Sequence, residues 1–475
     1  MFLTIKTNGQ VNEEALLYPT QMREDVRFLY KTLTETHPNP YQILTKEQLE
    51  VNIQKIINEL DSPLSIKEFW LRIGVLNSFF DGHTRVEYLP NMERYLIERI
   101  KDKRNILKIQ DNSILFNSQY PVIDSNLWGK KIISINNILS QELLKNTKKY
   151  VSYEPLYQEL ILPLLIIPVS VHKFQNDSLI HIEYIDEKSP EKKKITLPFN
   201  YQETIKQEDV NFSTDNNKYL DIKQEVCALS LYSTDKIAII ELNDFSSSMP
   251  FDEYCSKIEG YMNQINDSNI QHLFIDITSN GGGNSSKGIE FLNYIQTKEK
   301  EYKIERTGIK ISPLFIEQKI IEEPSKNLNE LDSILKSIDS TLKLGDIVYE
   351  DSYWIKKNRL PLYNNNLYLI VSRNTYSAAI DLAVIFSHYK LGVVIGEETG
   401  GLTSCYIDIL PIELPNSNIW FSCSHKDVVY VGDKGNGRGV LPDIEYKIGN
   451  SAKSFTLEQL KEMLRLVEQY KMQAK

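Results

Sequence analysis

Cysteine and histidine, the residues that build metal centres and covalent cross-links, are scarce in this chain of 475 residues, which has four cysteines and seven histidines. Cys227, Cys255, Cys405 and Cys423 lie far apart and form no C-x-x-C pair, and only His425 stands close to any of them. Zinc sites and disulfide scaffolds require clusters of such residues. The sequence therefore predicts no metal site and no disulfide framework.

Positive charge and long apolar segments are also in short supply. The 64 acidic residues outnumber the 54 basic ones and give a net charge of −10. Such a surface repels phosphate backbones and anionic lipid heads, which makes nucleic acid and membrane surfaces poor partner hypotheses. No apolar run approaches the ~20 residues of a membrane helix, and residues 1–20 contain no apolar core of signal-peptide length. We expect no membrane insertion and, as the chain reads, a cytoplasmic location; the oligomeric state stays open.

The remaining composition is typical of a folded globular protein, with 41% hydrophobic, 25% charged and 10% aromatic residues. These proportions exclude a disordered, collagen-like or coiled-coil chain. The length is roughly three times that of a typical domain. We therefore expect two or three domains and enough core to enclose a large buried site.

Residues 15–80 are predicted to form an all-helical unit. Apolar residues recur at helical spacing over residues 20–36, until the prolines of HPNPY end the helix. The T-x-x-Q and S-x-x-E segments that begin at Thr45 and Ser65 have the spacing of capping boxes and open two further helices. The DGHT segment that follows is a turn, which places His83 at a helix-to-strand junction.

Two regions that contain β-strands are predicted next. Residues 100–200 carry short β-type runs such as ILKI and LIHIEYI, which indicate a small β-rich domain. From about Ile237, strand and helix patterns alternate and predict an α/β domain with helices packed on a largely parallel sheet. Within it, residues 298–359 are charged and show no clear strand alternation, so we interpret them as an insertion able to cover a site. An amphipathic helix is predicted over residues 455–470.

Ser377 occupies the turn between a predicted buried strand and a helix that starts at Ala378. At this position a hydroxyl is exposed at the carboxyl end of the strand, and the N–H groups and dipole of the helix point towards it. That geometry suits a nucleophile whose attacked carbonyl is stabilised by the N–H of Ala378. An ordinary serine N-cap has the same local pattern and is the commoner outcome, so the residues alone leave both interpretations open.

A glycine-rich loop and a histidine are two further candidates. IDITSNGGGNSS has three consecutive glycines between a strand and a helix, where backbone N–H groups can approach an anion closely; the alternative is a flexible turn. Its spacing matches neither nucleotide-binding glycine pattern and lacks the phosphate-binding lysine, so we predict no cofactor. Histidine is the natural base for activating a serine hydroxyl, which makes His83 a candidate, although most lone histidines are structural or exposed.

Six segments, HPNPY, DGHT, IDITSNGGGNSS, NTYSAA, VVIGEETGG and GRGVLPDI, occur in this order over about residues 20–470, and the ordered set resembles the S41 family of serine peptidases. The resemblance implies an α/β core of crotonase-like ββα repeats, preceded by an N-terminal helical cap domain and a small β-rich PDZ-like domain. We accordingly expect the cap at residues 1–95, the PDZ-like domain at 96–225 and the catalytic core at 226–475, with the insertion near 298–360.

The resemblance also implies roles for particular residues. Ser377 corresponds to the family's nucleophile. The oxyanion hole would combine the N–H of Ala378 with one from the glycine loop, contributed by Gly281 or Gly282. Members that process protein C-termini use a lysine as the base, and Leu402 stands at that position here. A Ser/Lys dyad is therefore not expected.

The tricorn-like branch of the family instead takes its base from an N-terminal histidine, which His83 matches. A hydroxyl and a glutamate near the G-V-x-P-D motif assist it, and the glutamate position falls on Asn436 in this chain. An asparagine amide can orient an imidazole but cannot stabilise imidazolium as a carboxylate does. Asp433 and Thr84 are the substitutes we consider, and the acidic residue often found just after the nucleophile turn is displaced to Asp381.

The ordered motifs predict a serine peptidase that hydrolyses peptide bonds of peptides or proteins. The alternative is a non-catalytic protein on the same fold that binds a peptide or an apolar ligand, because the family's glutamate and lysine are both missing. A third hypothesis, an acyl-CoA enzyme with a crotonase-like core, is disfavoured by the extra N-terminal domains and by the histidine in DGHT. Family members are often exported, so the native compartment stays open.

Overall fold

The computed structural model describes residues 12–101, 105–117, 125–171, 173, 179–186, 189–198, 226–298, 300–322, 341–448 and 454–473. Parts of the predicted PDZ-like domain and of the predicted insertion lie outside these described residues.

The N-terminal part is mainly helical, and its helices begin where capping residues stand. Its elements are β1 Leu16–Leu17, α1 Pro19–Thr36, α2 Lys46–Glu59, β2 Leu64–Ser65, α3 Ile66–Ile73, a 3₁₀ helix Gly74–Phe79, β3 Arg85–Val86 and α4 Pro90–Lys101. Thr45 Oγ1 accepts the N–H of Gln48, and Ser65 Oγ accepts that of Glu68, so both predicted capping boxes are confirmed. Because β1 and β2 pair antiparallel, the prediction of an all-helical unit is wrong in this detail.

Helix α1 packs through the apolar stripe that its sequence predicts. Met22, Val26, Leu29 and Leu33 are spaced three or four residues apart and are each at most 1% exposed. They belong to a hydrophobic core that continues through the middle of the chain and includes Tyr376. The N-terminal helices therefore share a core with the turn that carries Ser377.

The middle part is an antiparallel sheet with short helices. Its elements are β4 Leu107–Gln110, β5 Ser113–Phe116, β6 Lys131–Ile135, β7 Ile138–Leu139, α5 Ser140–Thr147, α6 Pro155–Leu160, α7 Leu162–Leu165, β8 Leu179–Asp186 and β9 Ser189–Pro198. The strands lie in the order β4-β5-β6-β8-β9, and β7 pairs with β6. The β-type runs predicted over residues 100–200 are thus strands in the structure.

The C-terminal part contains two sheets. Its elements are β10 Cys227–Tyr232, β11 Ile237–Leu242, α8 Phe251–Asp267, β12 His272–Asp276, α9 Ser285–Leu292, β13 Glu301–Lys310, α10 Pro313–Glu322, β14 Ile347–Ile355, β15 Asn366–Val371, α11 Ala378–His388, β16 Val393–Gly396, β17 Ser404–Glu413, β18 Trp420–Tyr430, β19 Ile444–Glu445 and α12 Leu457–Gln473.

The first C-terminal sheet is largely parallel, as predicted. Its strand order is β10-β11-β12-β15-β16-β19, and every pair except β10 with β11 is parallel. Alternate residues of β11 face opposite sides: Ala238 and Ile240 pack with α8, α9 and α11, whereas Ile237 and Ile239 pack with α12. Because the carboxyl ends of parallel strands share one edge, the loops after β12 and β15 meet there. These are the glycine loop and the Ser377 turn.

The second C-terminal sheet corrects the prediction for residues 298–359. Its order is β14-β13-β18-β17, and both β13 and β14 come from that charged stretch. The prediction that the stretch lacks strands is wrong, because Tyr302 and Ile304 are buried while charged residues alternate with them on the other face of β13. The N-terminal strand β3 pairs with β18 of the same sheet. Among the described helices, none is both long enough and apolar enough to cross a membrane.

Candidate active site

The turn between β15 and α11 holds Ser377 in an unusual backbone conformation. Its φ is 52° and its ψ is −129°, and its side chain makes no capping hydrogen bond to the helix that follows. An ordinary N-cap has extended backbone angles and a capping side chain, so that interpretation does not describe this residue. A positive φ in a residue with a Cβ costs about 1–3 kcal/mol and persists where the surroundings enforce it.

Hydroxyl side chains on the same turn enforce this conformation. Ser372 Oγ donates to the carbonyl of Thr278 at 2.6 Å, and Thr375 Oγ1 donates to the carbonyl of Ile277 at 2.9 Å. The N–H of Tyr376 donates to the carbonyl of Asn280 at 3.1 Å. These bonds fasten the Ser377 turn to the chain that leaves β12, which continues directly into the glycine loop.

The glycine loop lies against Ser377 more closely than any side chain would allow. Gly282 has a φ of +102°, and a Cβ added there would lie 2.6 Å from Ser377 Cβ and 2.9 Å from Ala378 N. Its own N–H donates to Asn280 Oδ1 at 2.9 Å. The predicted role of Gly282 as an oxyanion donor therefore requires this bond to open. Gly281 stays a predicted donor, and Gly283 is the loop residue that lines the adjoining cavity.

The DGHT turn is organised by the carboxylate of Asp81, which is 1% exposed. Asp81 Oδ1 accepts the N–H of His83 at 2.8 Å, the N–H of Thr84 at 3.0 Å and the hydroxyl of Ser424 at 3.1 Å. Two consecutive N–H groups bound by one aspartate make a tight Asx-type turn. Because Ser424 belongs to β18, the same carboxylate also anchors the turn to the C-terminal sheet.

The other oxygen of Asp81 binds the histidine of HPNPY. His37 Nε2 lies 2.9 Å from Asp81 Oδ2, and His37 Nδ1 accepts the N–H of Asn39 at 3.0 Å. Since Nδ1 accepts, Nε2 carries the proton and donates to the carboxylate. Burial acts to raise the pKa of Asp81, but the hydrogen bond and charge of His37, with the other donors, bring the pKa down to about 2.

Strand β3, which follows the DGHT turn, attaches the turn to the C-terminal sheet by pairing with β18. Arg85 and Val86 pair with Ser422 and Phe421 of β18. The guanidinium of Arg85 is held by Glu87 at 2.6 Å, and burial and this carboxylate have opposing effects on its pKa, with a net rise. Arg85 Nη1 also donates to the carbonyl of Gly82 at 3.2 Å. The backbone on both sides of His83 is thus fixed.

The imidazole of His83 is 5% exposed and stacks on the ring of Tyr376, with centroids 5.3 Å apart and planes 19° apart. Among the described residues, neither ring nitrogen has a hydrogen-bond partner of good geometry, although the backbone of Tyr406 is near enough to favour the protonated form slightly. Burial lowers the pKa of His83 to about 4, with Arg85 adding to the effect and Asp81 opposing it. At neutral pH the ring is therefore uncharged and able to accept a proton.

A cavity of about 290 Å³ joins these elements. Of the site residues predicted from the sequence, His83, Ser377 and Ala378 line it. Asn436 does not: it is exposed, and its Oδ1 accepts the N–H of Arg438 at 3.2 Å. The predicted glutamate position is therefore not brought to the imidazole in this structure.

The two proposed substitutes for that glutamate are engaged elsewhere. Asp433, which does not line the cavity, accepts the hydroxyl of Thr403 at 2.6 Å. The hydroxyl oxygen of Thr84 accepts the N–H of Ser424 at 3.0 Å. Both side chains have structural partners where the structure describes them, and neither hydrogen-bonds a ring nitrogen of His83.

Glu154, which the sequence reasoning missed, is a buried carboxylate that binds two residues adjacent to His83. It lines the cavity, and its Oε1 accepts the N–H of Gly82 at 2.9 Å while its Oε2 accepts the hydroxyl of Tyr376 at 3.0 Å. Burial, and then the nearby charge of Asp81, raise the pKa of Glu154 to about 7. In the sequence Glu154 precedes a proline at a helix start, and no local pattern marks it as part of a site.

Two further residues bear on the choice of base. Leu402 lines the cavity at the position where the resemblance would require a lysine. Lys426 of β18 also lines the cavity, but its Nζ lies 2.6 Å from Asp408 Oδ2, so its amine is engaged in an ion pair. Of these two basic side chains, the imidazole of His83 is therefore the one that is not held in an ion pair.

Comparison with known proteins is consistent with this geometry. Residues 236–446 match the family model "Peptidase family S41". The structure titled "Structure of mature CPAF complexed with lactacystin" has a TM-score of 0.57 and 12% identity, covering 96% of this chain and 98% of that one. "Crystal Structure of mature CPAF" has a TM-score of 0.56 and 12% identity, with 90% and 92% covered. At these identities the likeness shows the fold alone. No curated protein sequence matches the chain.

Replacing Gly282 by alanine should displace Ser377, because the new Cβ would meet Ser377 Cβ at 2.6 Å. We expect the rate of Ser377 labelling by a fluorophosphonate to fall by about 10²-fold or more, the cost of a misplacement on the ångström scale. Gly435→Ala is the matched control, because Gly435 also has a positive φ but has open space around it. Equal labelling rates in the two variants would show that Gly282 does not shape the turn.

Proposed function

Because the chain is a serine peptidase of family S41 through its residues 236–446, we propose that Ser377 is its nucleophile and His83 its general base. His83 takes the proton of Ser377 Oγ as that oxygen attacks a peptide carbonyl. The imidazolium then returns the proton to the leaving amine, and water hydrolyses the acyl-enzyme by the same route. The substrates are peptides or proteins.

The observation that carries this proposal is the shared cavity. Ser377 and His83 are 294 positions apart in the sequence, yet both line the same cavity of about 290 Å³. His83 is uncharged at neutral pH and its ring nitrogens are not engaged by good hydrogen bonds among the described residues. Ser377 is held at a positive φ and does not cap its helix. A core serine and a core histidine with purely structural roles would not need these features.

The oxyanion would be bound at the start of α11. Ala378 is the first residue of that helix, where the helix itself supplies no acceptor for its N–H. A second donor from the glycine loop requires the N–H of Gly282 to leave Asn280 Oδ1, or the N–H of Gly281 to turn towards the substrate. We therefore assign Ala378 as the standing donor and the Gly281 and Gly282 loop as the part completed on substrate binding.

The imidazole is oriented by stacking in this proposal. Tyr376 presents its ring to His83, and Glu154 holds the hydroxyl of Tyr376. Glu154 also holds the N–H of Gly82, the residue before His83. Glu154 is thus a positioning residue that acts on the base from two sides, whereas Asn436 has no part in this mechanism.

The same proposal assigns each of the three parts of the chain to a type of domain. We assign residues 226–475 to a crotonase-like core of ββα repeats and the N-terminal helices to a cap. The antiparallel sheet β4 to β9 with α5 is assigned to a degenerate PDZ-like module that would receive a chain terminus. The parallel sheet of the core, and the position of Glu154 at the cavity, support this division of roles.

A binding protein without catalysis is the second candidate, and two observations favour it. The N–H of Gly282 is engaged by Asn280, and no carboxylate of the described residues hydrogen-bonds the ring of His83. Such a protein would ignore a fluorophosphonate but would gain thermal stability with a peptide or an apolar ligand.

Ser377→Ala should abolish both fluorophosphonate labelling and peptide turnover, because it removes the attacking oxygen. His83→Gln should slow labelling by about 10²–10⁴-fold, the usual contribution of a positioned general base. Ser256→Ala, which alters an exposed serine of α8, should label at the rate of the unaltered protein. Labelling of Ser377→Ala at this turn, or an unreactive protein that is stabilised by peptide, would contradict the assignment.

Labelling should depend on pH through His83. The pKa of His83 is lowered to about 4, so the ring stays in its proton-accepting form well below neutrality. We expect a constant labelling rate from pH 7 to about 5, and a decline of about tenfold per unit once the ring is protonated below its pKa. Glu154→Gln removes the carboxylate that holds Tyr376 and Gly82, and should leave this decline at acidic pH in place. If the labelling rate instead fell with a midpoint near pH 6.5, in protein that circular dichroism shows to be folded, the assignment would be contradicted.

A further inference from the structure

Two carboxylates from different elements line the cavity together with Ser377. Asp381 follows Ser377 by four positions, one turn along α11, and is 7% exposed. Glu305 lies on β13 directly opposite Tyr430 of β18. The hydroxyl of Tyr430 donates to Asp381 Oδ1 at 2.6 Å, and all three residues line the cavity. Asp381 and Glu305 therefore face the same space.

Among the described residues, the side chains that hydrogen-bond these carboxylates carry neutral hydroxyls. Glu305 Oε1 accepts the hydroxyl of Thr307 at 3.1 Å, and Asp381 is bonded by Tyr430 and also by Ser285. Burial raises the pKa of Asp381, and burial followed by the charge of Asp381 raises that of Glu305 to about 7. The charge of Asp381 thus opposes ionisation of Glu305, and Thr307 and Lys426 offset this effect only in part.

The charge of the cavity as a whole is unbalanced. Its lining includes the carboxylates Glu154, Glu305, Asp381 and Asp408 against the single ammonium group of Lys426. That ammonium is already held by Asp408 at 2.6 Å. Buried carboxylates without a cationic partner either take up a proton or are paired by a cation, and this cavity leaves room for a cation that enters from outside.

An independent sign of a ligand comes from His83, which lines the same cavity. His83 lines it with an imidazole that is 5% exposed and whose nitrogens have no good hydrogen-bond partner in the described part of the chain. A volume of about 290 Å³ lies at the low end of the range of about 300–1,000 Å³ for small-molecule pockets, so it suits one side chain with its adjoining backbone. Ile380, Leu402 and Ile407 add apolar wall, against which the methylene stem of a long side chain packs.

We propose that the part of the cavity next to Glu305 and Asp381 is the specificity pocket of the peptidase. It binds the cationic side chain of a lysine or arginine next to the scissile bond, between these two carboxylates. The inference rests on the proposed function, because it takes Ser377 as the point of attack. The positive charge would pair with the two carboxylates, and the methylene stem of the lysine or arginine side chain would lie along the apolar wall.

The test compares fluorogenic peptides that are identical except for lysine, arginine, norleucine or glutamate before the cleaved bond. Lysine and arginine should exceed norleucine in kcat/KM by about 10–10²-fold, the usual worth of a hydrogen bond to a charged group, and glutamate should be poorest. Glu305→Gln and Asp381→Asn should each reduce the ratio of lysine to norleucine. Glu301→Gln, which neutralises an exposed carboxylate on the same strand, should leave the ratio unchanged.

A second measurement uses the unaltered protein and so does not depend on the folding of a variant. Butylguanidinium should compete with the lysine substrate, whereas butanol at the same concentration should not. Equal turnover of lysine and norleucine peptides by protein that reacts with a fluorophosphonate would overturn the pocket and leave the proposed function standing. Protein that neither labels nor cleaves any of the peptides would overturn the proposed function itself.

Discussion

The buried carboxylate of Asp81 joins three parts of the chain at one point, and the position of His83 depends on it. It binds His37 at the end of α1, two N–H groups of its own turn, and the hydroxyl of Ser424 on β18. A buried charge of this kind is stable because both carboxylate oxygens have hydrogen-bond donors. The pKa of Asp81 is lowered to about 2 because the effect of these donors exceeds that of burial. Loss of the carboxylate would free the turn from both the N-terminal helices and the C-terminal sheet.

The site built on this anchor is composite. His83 comes from the N-terminal part, Glu154 from the middle and Ser377 from the C-terminal core, and they meet because one hydrophobic core runs from α1 to Tyr376. Tyr376 connects all three: it stacks on His83, donates to Glu154 and precedes Ser377 in the chain. Strain at Ser377 and raised pKa values at Glu154, Glu305 and Asp381 are costs to stability that a purely structural core would avoid. Their concentration around one cavity is what the proposed function explains.

Much of this arrangement follows from local sequence. Ser377 lies at a strand-to-helix turn, His83 lies at a helix-to-strand junction, and capping at Thr45 and Ser65 sets two helix starts, because each depends on a few adjacent residues. The parallel core sheet follows from repeated strand and helix patterns. Strand β13 was missed because its charges obscured the alternation with Tyr302, although that alternation is present in the sequence.

The partners of the base could not be predicted in the same way. Glu154 is brought to Gly82 and Tyr376 by the folding of a separate region, and nothing near it in the sequence marks it as part of a site. Asn436 was placed by resemblance, which fixes an order along the chain but not a contact, and it lies exposed away from the cavity. The hydrogen bond from the N–H of Gly282 to Asn280 Oδ1 could not be predicted either, because it depends on how the peptide group is turned, which the residue types do not determine.

The pairing of Ser377 with His83 is the central claim, and a crystal structure of the fluorophosphonate adduct tests it most directly. The account predicts phosphorus bonded to Ser377 Oγ, a His83 ring nitrogen about 2.6–3.2 Å from that oxygen, and the N–H of Ala378 bonded to the phosphoryl oxygen. Phosphorus on another side chain would contradict the account. So would an adduct on Ser377 in which the Lys426 amine, rather than the His83 ring, contacts Oγ.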